Sequence, residues 1–344
     1  MIDILINKKL IRLKDLKKKK ILITGATGLI GKTLAITLYK ISMKYHLDIS
    51  LILLVRDINR LDKFLKELLN NNQIECIIGD IKEPIKYDSG IDYIIHAASI
   101  TDSKMMIEKP VEVIYTNIIG TKNILELANN KKTISVVYLS SMEVYGFTTE
   151  DHLLTEEDVQ YLNPLSLRSS YPESKRMCEN LCIAYKNEYS IPVKILRLAQ
   201  TFGKGVKKND TRVFAQFARA VTENKNIQLS TDGLSERMYL DVEDCISAII
   251  LVLLNGQNGS AYNVGNKETF CSIKEMAEFV AGEIANGDIE IEMKKDSDTS
   301  KFSPKHKLYL DTSKIEALGW KPAKNLKDMY FEMIKEWNDE NSIL

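Results

Sequence analysis

Short runs of apolar, mostly β-branched residues alternate along the chain with longer segments whose apolar positions recur at helical spacing. The runs are apolar at nearly every position, which is typical of strands covered on both faces of a sheet. The segments between them suit right-handed crossover helices, so the pattern predicts a doubly wound parallel α/β sheet. The predicted strands are residues 21–24, 50–55, 75–79, 92–98, 135–141, 193–199 and 261–265.

The pattern loosens between Gln200 and Met238 and again after Lys267, where polar residues and glycines break up the apolar runs. These two segments are expected to fold together as a smaller α+β lobe. Residues 238–255 have a dense apolar face that predicts a helix returning to the sheet, and residues 326–338 predict a last amphipathic helix. The predicted domains are therefore residues 1–198 with 239–266, which contain the sheet, and residues 199–238 with 267–344, which form the smaller lobe.

The charge balance narrows the possible partners. Forty-seven basic residues match forty-seven acidic ones, so we expect neither nucleic acid nor an anionic membrane as a partner. No stretch approaches the roughly 20 apolar residues of a membrane helix, and residues 1–16 lack the apolar region of a signal peptide. The five scattered cysteines suit a reducing compartment, and the four histidines show no metal-ligand spacing. We expect a cytoplasmic protein without a metal.

Three glycines follow the first predicted strand at a spacing of three, in TGATGLIG, residues 24–31. Gly25 would permit a tight turn, Gly28 would let a pyrophosphate approach the backbone, and Gly31 would let the following helix pack closely. The free N–H groups at the start of that helix would hold phosphates. A flexible connector is the alternative, but the strand-to-helix context favours a Rossmann-type dinucleotide site.

A second motif is YPESK, in which Tyr171 and Lys175 are four residues apart and share one helical face. A cationic amine beside a phenol favours the phenolate, which could exchange a proton with a substrate hydroxyl. Ser141, at the end of a predicted strand, could hydrogen-bond the same oxygen. Ser170 and Glu173 predict a capping box at the start of the helix. Taken alone, Tyr171 and Lys175 would be a surface pair.

The order of glycines, serine, tyrosine and lysine resembles the short-chain dehydrogenase/reductase superfamily. Further segments resemble its extended branch, the NAD-dependent epimerase/dehydratase family, which modifies nucleotide-linked sugars. They are HAAS (96–99), TNIIGTKNIL (116–125), SSMEVYG (140–146), YPESKRMCE (171–179), RLAQTFG (197–203) and LGWKP (318–322). Within that family the nearest likeness is to UDP-glucuronate decarboxylases, through residues 168–176 and 201–217.

The resemblance implies that the sheet domain binds a dinucleotide and that the smaller lobe binds a nucleotide sugar. It also implies a set of site residues. Ser141, Tyr171 and Lys175 would form the catalytic trio, and Glu143 would act as an acid or base on a neighbouring sugar carbon. The implied cofactor-binding residues are Gly25, Thr27, Gly28, Leu29, Ile30, Gly31, Arg56, Asp80, Ile81, Ala97, Ala98, Asn117, Tyr171 and Lys175. The implied substrate-binding residues are Gln200, Arg212, Val213 and Arg237. The two arginines would meet the diphosphate; without the resemblance, each would be read as a surface salt bridge.

The shared chemistry of the family is hydride transfer between a sugar and NAD or NADP, through a 4-keto intermediate. The dehydratases usually carry Asp then Glu where this chain has Met142 and Glu143, and the decarboxylases usually carry an arginine before LGW where it has residues 305–307, KHK. We therefore predict epimerisation of a nucleotide-diphosphate sugar first, dehydration second and decarboxylation third. An NADPH-dependent keto-sugar reductase and a non-catalytic dinucleotide-binding protein remain alternatives.

Two further expectations concern the cofactor and the assembly. NAD-binding members usually place an acid after the second strand, at the ribose 2′-hydroxyl, whereas this chain has Arg56 there, with Asp57 next and Arg60 nearby. Arg56 could pair with a 2′-phosphate, which favours NADP over NAD, although Asp57 could still turn inward. The helices after Asn117 and Tyr171 would form a four-helix contact in proteins of this family, so a homodimer is expected by resemblance.

Overall fold

A computed structural model describes residues 2–70, 73–294 and 305–341. Its strands, numbered along the chain, are β1 (Lys20–Thr24), β2 (Ser50–Val55), β3 (Ile74–Ile78), β4 (Tyr93–His96), β5 (Ser135–Ser141), β6 (Val193–Leu198), β7 (Gln200–Phe202), β8 (Ile227–Leu229), β9 (Glu236–Asp241), β10 (Ala261–Val264), β11 (Asn266–Ser272), β12 (Ile291–Met293) and β13 (Lys307–Leu308). Its α-helices are α1 (Ile2–Asn7), α2 (Leu29–Tyr45), α3 (Lys63–Asn70), α4 (Ser103–Glu108), α5 (Pro110–Lys131), α6 (Ser170–Tyr189), α7 (Val213–Thr222), α8 (Val242–Asn255), α9 (Ile273–Phe279), α10 (Ser313–Glu316) and α11 (Leu326–Asn341).

The main sheet contains seven strands in the order β3-β2-β1-β4-β5-β6-β10. All six neighbouring pairs run parallel, and the strand order reverses between β1 and β4. In an open sheet of this kind, ligands bind beyond the carboxyl ends of the strands at that reversal. The predicted doubly wound α/β class is confirmed, and each of the seven predicted strands is present with ends that differ by two residues at most.

Helices cover both faces of the sheet, as the continuous apolar runs require. Along β1, Ile21 and Ile23 pack into the core beneath α2 and α8, whereas Leu22 packs into the core beneath α5 and α6. The alternation within one strand therefore supplies two separate cores. These two cores hold the ends of the strands in a fixed arrangement.

A third core lies outside the main sheet and is rich in aromatic side chains. Phe202 stacks on Phe214 with ring centroids 4.5 Å apart, and it meets Tyr239 and Tyr330 edge to face. Trp337 of α11 is also buried there. Its residues come from both segments that the sequence analysis assigns to the smaller lobe, together with Tyr239 of β9. The predicted domain boundaries themselves stay a prediction.

The predicted helix over residues 238–255 is wrong at its start. Residues 238–241 belong to β9, and α8 begins only at Val242. The Asp241 carboxylate accepts hydrogen bonds from the backbone N–H groups of Glu243 and Asp244, which caps the helix. The apolar run on both sides of this aspartate hid the boundary. The last helix, α11, extends three residues beyond its predicted end at Asn338.

None of the helices in the described parts of the chain is long and apolar enough to cross a membrane.

Candidate active site

A cavity of about 1070 Å³ lies beyond the carboxyl ends of the main-sheet strands and extends to the aromatic lobe. The loop after β1, the loop after β4 and the end of β5 line one part of it, and β7, α7 and β8 line another. This volume is at the upper end of what one drug-sized ligand needs. The cavity therefore has room for a large ligand or for two ligands end to end.

The glycine loop between β1 and α2 is built from close backbone contacts. Gly25 has a φ of +72°, and a Cβ there would lie 2.9 Å from the carbonyl carbon and oxygen of Ala97. A Cβ on Gly31 would lie only 2.3 Å from the carbonyl oxygen of Gly25. Gly28 is the N-cap residue of α2, and its backbone is extended. The first turn of α2 thus faces the cavity with amides that lack intrahelical acceptors, which is the arrangement that binds phosphate oxygens.

The structure brings together all but one of the residues expected around a dinucleotide. Asn117 is the exception: it is buried, accepts a hydrogen bond from Ser99 Oγ and donates one to Ser174 Oγ. Its amide therefore braces two cavity walls instead of facing a ligand. The expected residues that do line the cavity are Gly25, Thr27, Gly28, Leu29, Ile30, Gly31, Arg56, Asp80, Ile81, Ala97, Ala98, Tyr171 and Lys175.

Thr24 is a cavity residue that the sequence reasoning missed. Its Oγ1 accepts hydrogen bonds from the backbone N–H groups of Ala97 and Ala98, which ties the loop after β4 to the glycine loop. The same oxygen lies 2.8 Å from Nδ1 of His96, and burial lowers the pKa of His96 to about 3. His96 is therefore a neutral, structural side chain at neutral pH. The threonine directly before the first glycine was the available signal.

All three residues of the expected trio, Ser141, Tyr171 and Lys175, line the cavity. Burial, followed by the nearby charge of Glu143, raises the pKa of Tyr171 well above its usual value and outweighs the lowering effects of Ser141, Arg168 and Ser99. Lys175 Nζ donates to the carbonyl oxygen of Leu139 at 2.8 Å and lies 5.8 Å from the centre of the Tyr171 ring. Burial lowers the pKa of Lys175 to about 8.

The expected effect of the lysine on the tyrosine is thus absent in this arrangement. The expected amine beside the phenol would favour the phenolate, whereas burial of Tyr171 favours the neutral phenol. Tyr171 is therefore a neutral phenol in this arrangement and must release its proton before it can accept one from a substrate hydroxyl. Ser141 lies where it can accept or pass on that proton.

The predicted capping box at the start of α6 is wrong. The residue that precedes the helix is Ser169, which makes no side-chain capping hydrogen bond. Ser170 Oγ donates instead to the carbonyl oxygen of Met106 in α4. The hydroxyl thus ties α6 to α4 across the cavity mouth, a tertiary contact that local spacing does not reveal.

Glu143 forms an ion pair that the sequence reasoning missed. Nη2 of Arg168 lies 2.9 Å from each carboxylate oxygen of Glu143, and both residues line the cavity. Arg168 occupies the short 3₁₀ turn Leu167–Ser169 directly before α6, three residues before Tyr171. The segment RSSYPESKR places an arginine one helical turn before the tyrosine, which could have indicated Arg168 as a cavity residue, but this spacing does not reveal its pair with Glu143.

The residues expected at the substrate end also line the cavity: Gln200, Arg212, Val213 and Arg237. Arg212 makes a bidentate pair with Asp210 and lies 4.7 Å from the centre of the Phe214 ring. Nη2 of Arg237 lies 2.9 Å from Nε2 of His306. Arg212 thus forms a salt bridge while it lines the cavity, and its expected contact with a diphosphate stays a prediction.

The two lysines in the segment before LGW have different surroundings. Nζ of Lys307 lies 2.9 Å from Asp151 and 3.6 Å from Glu236. Lys305 is exposed and lines the cavity. Lys305 is thus the lysine of this segment that a cavity ligand could meet.

Comparison with known proteins gives one family. The sequence model of the NAD dependent epimerase/dehydratase family matches residues 21–265. UDP-glucuronic acid decarboxylase 3 of Arabidopsis thaliana is 31% identical over 268 residues, which cover 77% of this chain and 74% of that protein. UDP-glucuronic acid decarboxylase 1 of Xenopus tropicalis is 27% identical over 325 residues, covering 92% of this chain and 71% of that protein.

Solved structures share the fold. UDP-glucose 4-epimerase from Thermotoga maritima, solved with UDP-glucose, superposes with a TM-score of 0.78 at 19% identity, over 94% of this chain and 99% of that one. The dTDP-glucose 4,6-dehydratase DesIV from Streptomyces venezuelae, solved with NAD, superposes with a TM-score of 0.79 at 21% identity, over 94% and 98% of the two chains.

Proposed function

The chain belongs to the NAD-dependent epimerase/dehydratase family, and we propose that it converts a nucleotide-diphosphate sugar through a 4-keto intermediate, using NAD or NADP. One observation carries the proposal: Ser141, Tyr171 and Lys175 line the same cavity as the glycine loop and the two arginines Arg212 and Arg237. That layout suits a dinucleotide and a nucleotide sugar placed end to end.

The residues of the glycine loop fit a dinucleotide. A Cβ at Gly25 or Gly31 would occupy backbone space, and the first turn of α2 would hold the pyrophosphate. The bound nicotinamide supplies hydride chemistry that side chains lack. Once deprotonated, Tyr171 would take the proton of the 4-hydroxyl as the sugar is oxidised and return it on reduction, with Ser141 on the same oxygen. Lys175 would hold the ribose.

For the reaction outcome, we propose epimerisation, because it requires the fewest catalytic groups among the residues present. A ketone that turns over within the site and is reduced from its other face needs no further acid. Met142 is a buried thioether, which has no proton to give to a leaving hydroxyl, so dehydration is less favoured. Decarboxylation is the second candidate, because the relatives at 27–31% identity are named as UDP-glucuronic acid decarboxylases.

For the cofactor, we propose NADP over NAD. Arg56 and Arg60 line the cavity next to the end of β2. The Asp57 carboxylate instead accepts a hydrogen bond from the backbone N–H of Asn59 and caps the short turn Ile58–Arg60. The two cations, together with a carboxylate already engaged by the backbone, suit a 2′-phosphate on the ribose better than a 2′-hydroxyl.

For the assembly, we propose a cytoplasmic homodimer. Helices α5 and α6 pack against each other on one face of the sheet. Their outer surface carries exposed apolar side chains, of which Val111 and Tyr115 are one helical turn apart on α5 and Met177 is on α6. Pairing of the two helices with those of a second copy would cover these side chains. The mass of the protein in solution tests this proposal.

The function is tested by product masses. The protein is incubated with UDP-glucose, dTDP-glucose and UDP-glucuronate, with the cofactor present. An epimer has unchanged mass, loss of water identifies a dehydratase, and loss of carbon dioxide identifies a decarboxylase. Net consumption of NADPH with each turnover would identify the reductase alternative. Tyr171→Phe keeps the ring and removes the hydroxyl, so it should lower turnover by about 10²- to 10⁴-fold; no conversion of any nucleotide sugar by the unaltered protein would contradict the proposal.

A further inference from the structure

Arg168 is a cavity residue with unused hydrogen-bonding capacity. Its side chain is 14% exposed, and Nη2 contacts both oxygens of Glu143. Nη1 is buried and has no hydrogen-bond partner among the residues that the structure describes. A buried guanidinium nitrogen without an acceptor is costly, so an acceptor on a ligand would be favourable there.

We infer that Arg168 binds a carboxylate on the sugar, so that the substrate is a nucleotide-linked uronic acid. The inference rests on the proposed function and adds the chemical class of the sugar. Arg168 lies beside Glu143 and three residues before Tyr171. A ligand group that accepts hydrogen bonds from the free N–H donors of Arg168 would therefore lie close to carbon 4 of the sugar, whose hydroxyl exchanges its proton with Tyr171. The carboxylate of a uronic acid meets that requirement, because it is attached to carbon 5, next to the carbon 4 that is oxidised.

The pair with Glu143 fixes the orientation of the guanidinium. A guanidinium has five N–H donors in a rigid plane, so one edge can hold Glu143 while the other edge remains for a second carboxylate. Without Arg168, the charge of Glu143 would repel an acidic sugar. With it, the two carboxylates share one cation, and the ligand does not pay to order a flexible side chain.

Other nearby cations are less suitable for this task. Arg176 already donates to the carbonyl oxygens of Val144, Tyr145 and Gln160. Lys305 also lines the cavity but is exposed to solvent, where an ion pair contributes little. Arg237 also has a buried nitrogen, Nε, without a partner in the described residues, and it is the strongest competitor. The experiment therefore includes Lys305 and Arg237.

The test measures affinity instead of turnover. In a Tyr171→Phe background with saturating cofactor, calorimetry gives the dissociation constants of UDP-glucuronate and UDP-glucose, and the measurement is repeated with dTDP-glucuronate and dTDP-glucose. The starting protein should bind the uronate more tightly than the hexose. Arg168→Gln should weaken uronate binding by about 10- to 100-fold and hexose binding by less than about threefold. Arg168→Lys should give an intermediate loss, since it keeps the charge without the planar fork.

Matched variants separate this role from a structural one. Arg212→Gln should weaken both sugars by the same factor, because both carry the diphosphate. Glu143→Gln should keep the uronate preference, because Arg168 remains. Equal weakening of both sugars by Arg168→Gln, or loss of the preference in Lys305→Gln or Arg237→Gln instead, would overturn the inference and leave the proposed function standing. If none of the four nucleotide sugars binds, the proposed function fails and the inference with it.

Discussion

The two ends of the cavity are built in different ways. The end proposed for the dinucleotide is made mainly of backbone: Gly25, Gly28 and Gly31 lie in the turn from β1 into α2, and a Cβ on Gly25 or Gly31 would lie 2.9 or 2.3 Å from a backbone atom. The end proposed for the sugar is lined by charged side chains from separate segments of the chain. There Glu143 pairs with Arg168, and Arg212 pairs with Asp210.

The difference shows how each end can change. A backbone site tolerates little substitution, because a clash with a carbonyl oxygen has no side chain to move aside. A side-chain site can exchange one ion pair for another while the fold stays the same. We therefore expect substitutions at the glycine loop to abolish the protein's activity outright, and substitutions at the sugar end to alter which ligand is bound.

The largest expected effect is at Gly31. In Gly31→Ala the new Cβ would lie 2.3 Å from the carbonyl oxygen of Gly25, so α2 must shift, at a cost of about 3 kcal/mol or more, and cofactor binding should be lost. Thermal unfolding and cofactor titration measure this. Gly282→Ala is the control, because a Cβ there meets no atom within 4 Å. Equal behaviour of the two variants would show that the loop is not built on backbone contacts.

The second effect is at Arg212, in the end of the cavity proposed for the sugar. Arg212→Gln removes a guanidinium that lines the cavity and is held in place by Asp210, and it should weaken nucleotide-sugar binding by about 100-fold. Cofactor affinity, measured on the same protein sample, should stay the same. A parallel loss of cofactor affinity would mean that the two ends are not independent.

The sequence predicts these two ends unequally, for physical reasons. The glycine loop, Tyr171 and Lys175 are local patterns whose spacing specifies their geometry, and all seven strands follow from their apolar runs. Arg168 and Glu143 meet only because β5 and the turn before α6 end at the same edge of the sheet, and Asn117 turns away from the cavity because Ser99 and Ser174 bind its amide. Tertiary pairing of this kind has no signature in local spacing.

The third effect sets activity against stability at Lys175. Its pKa is lowered to about 8 in the folded protein by burial, below the value near 10.4 of an unfolded chain. The unfolded chain therefore binds more protons between these values, so the cost to stability is full below pH 8 and disappears as the pH rises towards 10.4. Lys175→Met should abolish turnover yet stabilise the fold by about 2 kcal/mol at pH 7, after the lost hydrogen bond to Leu139 is counted.

Unfolding temperatures of the Lys175→Met variant and the unaltered protein, measured from pH 7 to 10, check the sign of this effect. The advantage of the methionine should shrink steadily as the pH rises. A constant or growing advantage would show that burial of the ammonium group is not the cause.

The smallest effect concerns the choice of dinucleotide. Arg56→Ala should weaken NADP by about tenfold, equal to about 1.4 kcal/mol, and leave NAD nearly unchanged, because only NADP carries the 2′-phosphate. Asp57→Asn is the matched control, since its side chain can still accept the hydrogen bond from Asn59. Tenfold tighter binding of NAD than of NADP by the unaltered protein would contradict the proposed preference.

The central claim is that Tyr171 works at the junction of the two ends, in a hydride transfer that is reversed before product leaves. The most direct measurement is a single turnover with excess protein, followed by the near-ultraviolet absorbance of reduced nicotinamide, with a nucleotide sugar carrying hydrogen or deuterium at carbon 4. The account predicts a transient rise that is slower with deuterium, decays as product forms, and is lost in Tyr171→Phe. Product formation without any transient, or at an unchanged rate in Tyr171→Phe, would contradict it.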